Sequence, residues 1–172
     1  PDMKHIPGVD MSSGSLGQGI SAAVGMAISA KLSGDSYRVY TLLGDGEIQE
    51  GQVWEASMLA AHRNLDNLVV IVDNNNLQID GAVTDVNSPY PIDKKFEAFN
   101  FHVINIDGHD FDAIAAAFKE ARETKGQPTA IIAKTVKGKN VSFMENQASW
   151  HGAAPNDEQY ATAMADLEKV GE

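Results

Sequence analysis

The sequence predicts an α/β fold, a doubly wound and mostly parallel sheet with helices on both faces. Short β-branched runs alternate along the chain with segments of helical spacing. That order puts helices between parallel strands. One run, Leu68-Val69-Val70-Ile71-Val72, is apolar without alternation, as expected of a strand covered on both sides. With 172 residues the chain is long enough to bury one core without disulfide or metal staples.

Residues 1–13 read as irregular. From Gly14 to Leu32, apolar residues recur at Ile20, Val24, Ala27, Ile28 and Leu32 among Gly, Ala and Ser, which predicts a helix that packs closely. Tyr37 to Leu43 is β-branched and aromatic and ends at Gly44, a strand signature. Gln52 to Arg63 carries Val53, Ala56, Leu59 and Ala60 on one helical face. Leu68 to Val72 is the second strand, followed by a polar loop from Asp73 to Gly81. Pro89 and Pro91 mark 82–92 as an irregular excursion. A short helix follows at Lys94 to Phe99, then a strand from His102 to Ile106. Asp110 is placed to cap a helix from Phe111 to Thr124, closed by Gly126. Thr129 to Ala133 is the fourth strand, and Asn156 caps a last helix to about Val170.

Composition removes several functions. The chain has no cysteine, so disulfides, thiolate metal sites and cysteine nucleophiles are absent. Thirteen Lys and Arg against 24 Asp and Glu give a net charge of −11. Nucleic acids and anionic membranes require a basic face, so neither is expected as a partner. No run is long enough to span a bilayer, and no signal pattern opens the chain. A cytoplasmic protein is expected. A start at Pro1 rather than Met suggests a fragment or a trimmed product.

Ligands of parallel sheets bind beyond the carboxyl ends of the strands, which directs attention to two loops. Gly44-Asp45-Gly46 places a carboxylate between two residues that admit a ligand close to the backbone. Asp73-Asn74-Asn75-Asn76 ends the next strand with amide oxygens, ligands suited to Mg²⁺ or Ca²⁺. Each loop alone reads equally well as a turn. Together they end two strands joined by one helix, so Asp45 and Asn75, thirty positions apart, are expected to face one ion. Mg²⁺ held by so few protein ligands completes its octahedron with phosphate oxygens.

Gly-Asp-Gly followed thirty residues on by Asn75 resembles the fingerprint of thiamine-diphosphate enzymes. The surroundings narrow the resemblance to transketolase: Gly44-Asp45-Gly46-Glu47-Ile48-Gln49-Glu50-Gly51, then Glu55-Ala56 and Leu77-Gln78-Ile79-Asp80-Gly81. Gly14-Ser15-Leu16-Gly17-Gln18-Gly19-Ile20, Lys134-Thr135-Val136-Lys137-Gly138-Lys139 and Ser149-Trp150-His151-Gly152 are similar to three more of its segments. The likeness runs in unbroken order from about Pro7 to Pro155.

The resemblance implies a diphosphate-binding domain over 1–172, incomplete at its start, with thiamine diphosphate and Mg²⁺ as cofactors. It assigns Mg²⁺ to Asp45, the Asn75 amide and the Leu77 carbonyl. It sets the Gly46 N–H on a phosphate oxygen and Gly14, Ser15 and Leu16 against the aminopyrimidine, with Glu47 and Ile79 also beside the cofactor. Lys137 and His151 fall near the diphosphate and the reacting end of the substrate, and His151 is the expected catalytic residue. Glu50 resembles a member of a carboxylate network across the dimer. The implied reaction moves a two-carbon ketol unit from a ketose phosphate to an aldose phosphate.

The activating glutamate of this family lies on a separate pyrimidine-binding domain, which the chain lacks. That domain, or a C-terminal subunit carrying it, is therefore the expected partner, in a homo- or hetero-oligomer. The length suits the N-terminal subunit of a split transketolase, and a piece of a longer enzyme would look the same. Three other readings stand beside this one: a deoxyxylulose-phosphate synthase, a 2-oxo-acid dehydrogenase subunit, or a non-catalytic assembly module. Gly17-Gln18-Gly19-Ile20-Ser21-Ala22 also matches a dinucleotide-binding pattern, but no strand precedes it and Asp35 comes too early.

Overall fold

The computed structural model describes residues 2–170. Four strands form a parallel sheet: β1 (Val39–Gly44), β2 (Leu68–Asn74), β5 (His102–Asp107) and β6 (Thr129–Lys134), in the order β1-β2-β6-β5. A two-stranded antiparallel ribbon, β3 (Leu77–Gln78) and β4 (Gly81–Ala82), stands apart from it. The helices are α1 (Gly19–Ser33), α2 (Gly51–His62), α3 (Val83–Asn87), α4 (Ile92–Ala98), α5 (Phe111–Glu123) and α6 (Asp157–Glu168). The α/β class and the parallel sheet expected from the sequence are present. Pro1, Gly171 and Glu172 lie outside the described residues, so the outermost ends of the expected domain are not addressed.

Strand alternation divides the core in two. Val39 and Leu43, then Leu68, Val70 and Val72, then Ala130 and Ile132 point to one side, where α1, α2 and α4 cover them with Ile20, Val24, Ala27, Val53, Ala60 and Phe96. Small residues on α1 let that helix lie close to the strands, as its composition predicts. On the other side Val69 and Ile131 pack against Ala117 and Ala121 of α5. The two sides are not equally covered. Leu42 is 67% exposed and Tyr40 46%, while α5 reaches the β1 edge through the Tyr40–Phe118 ring contact and the bond from Arg38 to the Ala121 carbonyl. Helices do lie on both faces, yet the β1 end of the second face is bare.

Several predicted boundaries shift. α1 begins at Gly19, not Gly14, because Gly17 has φ of +85° and turns the chain out of helix. β1 begins at Val39 rather than Tyr37, and α4 at Ile92 rather than Lys94. Residues 82–92, expected to be irregular, hold β4 and α3. The missed ribbon pairs only two residues on each side, too short to show periodicity. Both predicted N-caps are present, whereas α5 closes at Thr124 rather than at Gly126. The Asp110 carboxylate accepts the N–H groups of Asp112 and Ala113 at 2.9 and 3.1 Å. Asn156 and Gln159 form a reciprocal capping box.

At the end of the sheet remote from the strands' carboxyl termini, Asp66 ties elements together, accepting from Gly126 N–H at 3.0 Å and pairing with Lys31 at 2.8 Å. No described helix is long and apolar enough to cross a membrane.

α6 buries no residue completely and is fastened by Asp166, whose carboxylate accepts the Ser142 hydroxyl at 2.6 Å and the Ser142 N–H at 3.0 Å. These bonds, helped by Lys169, hold the Asp166 carboxyl down at about 2. A depressed carboxyl stabilises the fold above its unfolded value and loses that contribution as pH falls through the folded one. Protection of the α6 amides, corrected for the intrinsic pH dependence of exchange, is therefore expected to fall as the pH is lowered from about 4 towards 2, where carboxylates titrate. Asp166→Ala should show the lower protection already at neutral pH.

Candidate functional site

The register of the sheet decides where the candidate chemistry lies. Gly44 pairs with Asp73, Asp73 with Ala133, and Lys134 with both Asn74 and Asp107. All four strands thus end level, and the loops that leave them share one rim.

Asp45 is the first residue beyond β1 and is 1% exposed. Its N–H donates to the Asp73 carbonyl at 3.2 Å, and its Oδ2 accepts the N–H of Asn76. The two strand-end loops are thereby clasped to each other, as the sequence pairing predicts. Burial pushes the Asp45 carboxyl above the usual aspartate range and the nearby Asp73 charge adds to this, while the N–H groups of Asn76 and Gly46 oppose it. Among the described residues no basic side chain forms an ion pair with Asp45. A buried carboxylate in that condition suits a hard cation. Nor does any group of three or more His, Cys, Asp or Glu among the described residues form a metal site. Any cation here would need oxygens beyond those of acidic side chains, from amides, carbonyls or a bound ligand.

The Asn75 side chain accepts the Leu77 N–H at 2.8 Å, leaving a second lone pair on its oxygen. Asn76 follows with φ of 61°, a left-handed conformation that asparagine tolerates, and leads the chain into β3. Ile79, in the turn of the ribbon, is 73% exposed. The Tyr90 hydroxyl donates to the Asn74 side chain. Burial and the Asp45 charge both push that phenol up.

Glu47 has a role that the residue pattern does not reveal. One carboxylate oxygen accepts the Gly17 N–H at 2.8 Å and the other the Gly44 N–H at 3.0 Å. It braces the Gly14-Ser15-Leu16 loop against the Gly-Asp-Gly turn, and both of its oxygens are engaged. A Cβ on Gly17 would stand 2.8 Å from the Glu50 Cβ, so the loop is pressed onto the start of α2. Gly14, Ser15 and Leu16 are exposed beyond this contact. Gly46 lies against Gln78, 3.1 Å from where its Cβ would be.

Lys137 is half-buried in the loop after β6. The preceding Thr135 fixes that loop to β2 by its N–H to the Asn74 carbonyl at 3.2 Å and its hydroxyl to Asp73. Lys137 and Asn75 lie at the rim of a groove of about 500 Å³ whose walls are apolar, including Leu42, Ile71, Ile106 and Phe118. Asp45 and Gly46 do not line it. This groove belongs to the thinly covered face of the sheet.

His151 is exposed at the end of a 3₁₀ turn, with Trp150 stacked edge-on against Phe143 at 5.2 Å. Among the described residues no hydrogen bond joins its ring to the Asp45 loop. Asp73, Thr135 and Tyr90 are site neighbours that the residue pattern did not single out. Asp73 heads the asparagine run and was the one with a visible signal.

Comparison with known proteins adds to this geometry. Residues 1–168 match the family described as transketolase, thiamine diphosphate binding domain. The chain is 44% identical over 170 residues to the 6-deoxy-6-sulfo-D-fructose transketolase subunit of Clostridium sp. strain MSTE9, covering 99% of this chain and 62% of that protein. It is 41% identical over 166 residues to an apulose-4-phosphate transketolase subunit from Actinobacillus succinogenes, covering 96% and 60%. It therefore spans about three-fifths of these relatives. The crystal structure of transketolase from Campylobacter jejuni is similar to it with a TM-score of 0.87 at 36% identity, over 95% of this chain and 26% of that one. With level strand ends, a buried Asp45 and a family match over nearly its whole length, the chain belongs to the transketolase thiamine diphosphate-binding domain family.

Proposed function

We propose that this chain is the diphosphate-binding component of a transketolase that works in the cytoplasm. It holds Mg²⁺ and the diphosphate of thiamine diphosphate while a two-carbon ketol unit passes from a ketose phosphate to an aldose phosphate. The observation that carries the reading is Asp45, a buried carboxylate without a cationic partner among the described residues, clasped to the asparagine loop. Its hard oxygen, the free lone pair of Asn75 and the Leu77 carbonyl suit Mg²⁺, and the phosphates would fill its remaining positions. Gly46 supplies a backbone N–H and Lys137 a cation towards the same phosphates. Gly14, Ser15, Leu16 and Ile79 offer exposed surface to the rest of the cofactor, with Glu47 fixing the first three. His151 would move a proton at the substrate end. When bound, thiamine diphosphate supplies the electron sink for carbon–carbon bond cleavage.

A partner is part of this reading. Two relatives are described as transketolase subunits, and Leu32, Met58 and Leu59 stand exposed on α1 and α2. A pyrimidine-binding domain or C-terminal subunit would cover such a surface and supply the activating acid, in a homo- or hetero-oligomer.

Asp45→Asn tests the metal assignment in two ways. Titration calorimetry with Mg²⁺ and thiamine diphosphate on the assembled protein should show affinity reduced by more than about a hundredfold, beyond the loss typical of outer-shell partners. The metal-free chain should gain stability. A raised carboxyl lowers stability as pH climbs from its unfolded value through the folded one. Removing that charge should raise the thermal midpoint at neutral pH. Unchanged cofactor affinity would sink the site.

His151→Ala in the assembled enzyme is expected to lower turnover by roughly 10²–10⁴-fold with little change in thermal midpoint, since the side chain is exposed. Full turnover would remove His151 from the reaction. The chain by itself, given Mg²⁺, cofactor and a ketose phosphate, is expected to show no ketol transfer. Clear activity from a monomer confirmed by light scattering would mean that no second domain is needed.

A further inference from the structure

We propose that His109 is a positioning residue for Lys137, holding the loop after β6 through its neutral imidazole. The inference rests on the reading of Lys137 as a diphosphate ligand. The Val136 N–H donates to the His109 Nε2 at 2.8 Å. A backbone N–H only donates, so Nε2 is the unprotonated nitrogen and the ring proton resides on Nδ1.

The turn that carries His109 is shaped for this contact. Its own N–H is held by the Asp107 side chain at 2.9 Å, and the Gly108 N–H donates to the Lys134 carbonyl at 2.8 Å. A Cβ on Gly108 would come within 2.5 Å of the Thr135 methyl and 3.1 Å of the Lys134 carbonyl oxygen. Only glycine lets the end of β5 press this closely on the end of β6, which brings the imidazole onto Val136.

The Lys137 loop is otherwise tied by Thr135 to Asp73 and Asn74 on the β2 side, and by the Lys137 carbonyl, which accepts the Asn146 N–H at 2.9 Å. His109 is its side-chain anchor from β5. A second proton on the ring would place a donor against a donor and free Val136. Charged groups on the surrounding elements include Asp107 and Asp110 in the same turn, Asp112 at the start of α5, Asp73 at the end of β2, Lys134 of β6, Lys137 and Lys139 of the loop itself, and Glu145, which accepts the Asn140 N–H at 3.2 Å. The carboxylates of Asp107, Asp110 and Asp73 are already engaged by His109 N–H, the α5 N–H groups and Thr135.

The test compares wild type, His109→Ala and His109→Gln in the full chain, alone and assembled with its partner. Gln offers an acceptor at a similar reach that does not titrate. Amide exchange at Val136, followed by NMR at one fixed pH of about 8, is the direct readout. Wild type should protect Val136, Ala should lack that protection, and Gln should keep it. Calorimetric affinity for Mg²⁺–thiamine diphosphate should fall about three- to tenfold in Ala, the worth of one hydrogen bond, and recover in Gln. Wild-type affinity in Ala, or no recovery of protection in Gln, would overturn the role of His109. If the assembled wild type takes up no cofactor, the functional reading fails by itself, and the Val136 protection still decides whether His109 holds the loop.

Discussion

A buried negative charge without a counter-ion is the constraint around which this domain is built. Asp45 lies 1% exposed just beyond the carboxyl end of β1, close to a second carboxylate on Asp73, with backbone N–H groups as its compensation. Desolvating a carboxylate in this way is costly. The surrounding structure must keep the site from relaxing. The clasp between the Asp45 and Asn76 loops and the contact of Gly46 with Gln78 do so locally. Parallel pairing of β1, β2 and β6 does so globally, because it fixes how far each strand end projects.

Glu47 shows how the same use of backbone donors extends outward. Both of its oxygens are engaged by N–H groups from separate segments, Gly17 before α1 and Gly44 at the end of β1. Charge-assisted bonds of this kind are stronger than neutral ones. They make the last acid of the Gly-Asp-Gly-Glu run a structural brace, while Asp45, two residues earlier, accepts the N–H groups of Asn76 and Gly46. The two nearby carboxylates thereby differ in which segments they join, Glu47 linking the stretch before α1 to the end of β1 and Asp45 linking the two strand-end loops.

Much of this was legible in the sequence. Strand-forming runs and caps were, because β-branched clusters and Asp or Asn before a helical period have local causes; Asp110 and Asn156 cap as their positions imply. The proximity of Asp45 and Asn75 was also legible, since two strands joined by one helix set their termini side by side. The start of α1 was not, because a helical spacing of Gly, Ala and Ser runs on through Gly17 and only the left-handed turn there ends it. The Glu47 brace and the His109 contact were hidden for a different reason. Their partners lie 30 and 27 residues away, and no local pattern records which backbone N–H a fold will leave unpaired. The uneven cover of the second sheet face was invisible too, because Tyr40 and Leu42 look like ordinary strand residues until the reach of α5 is known.

That uneven cover bears on how the protein behaves in bulk. Tyr40 and Leu42 form, with Ile71 and Phe118, an apolar strip on a sheet type that is ordinarily sheltered on both sides. The chain also carries an excess of eleven negative charges. At low ionic strength and neutral pH that charge acts as a colloidal barrier, holding such strips apart. Salt shortens the barrier to about 10 Å at 0.1 M, and acid removes the charge itself. Dispersal of this domain is thus expected to respond to salt and acid, through long-range repulsion, apart from any change in its core.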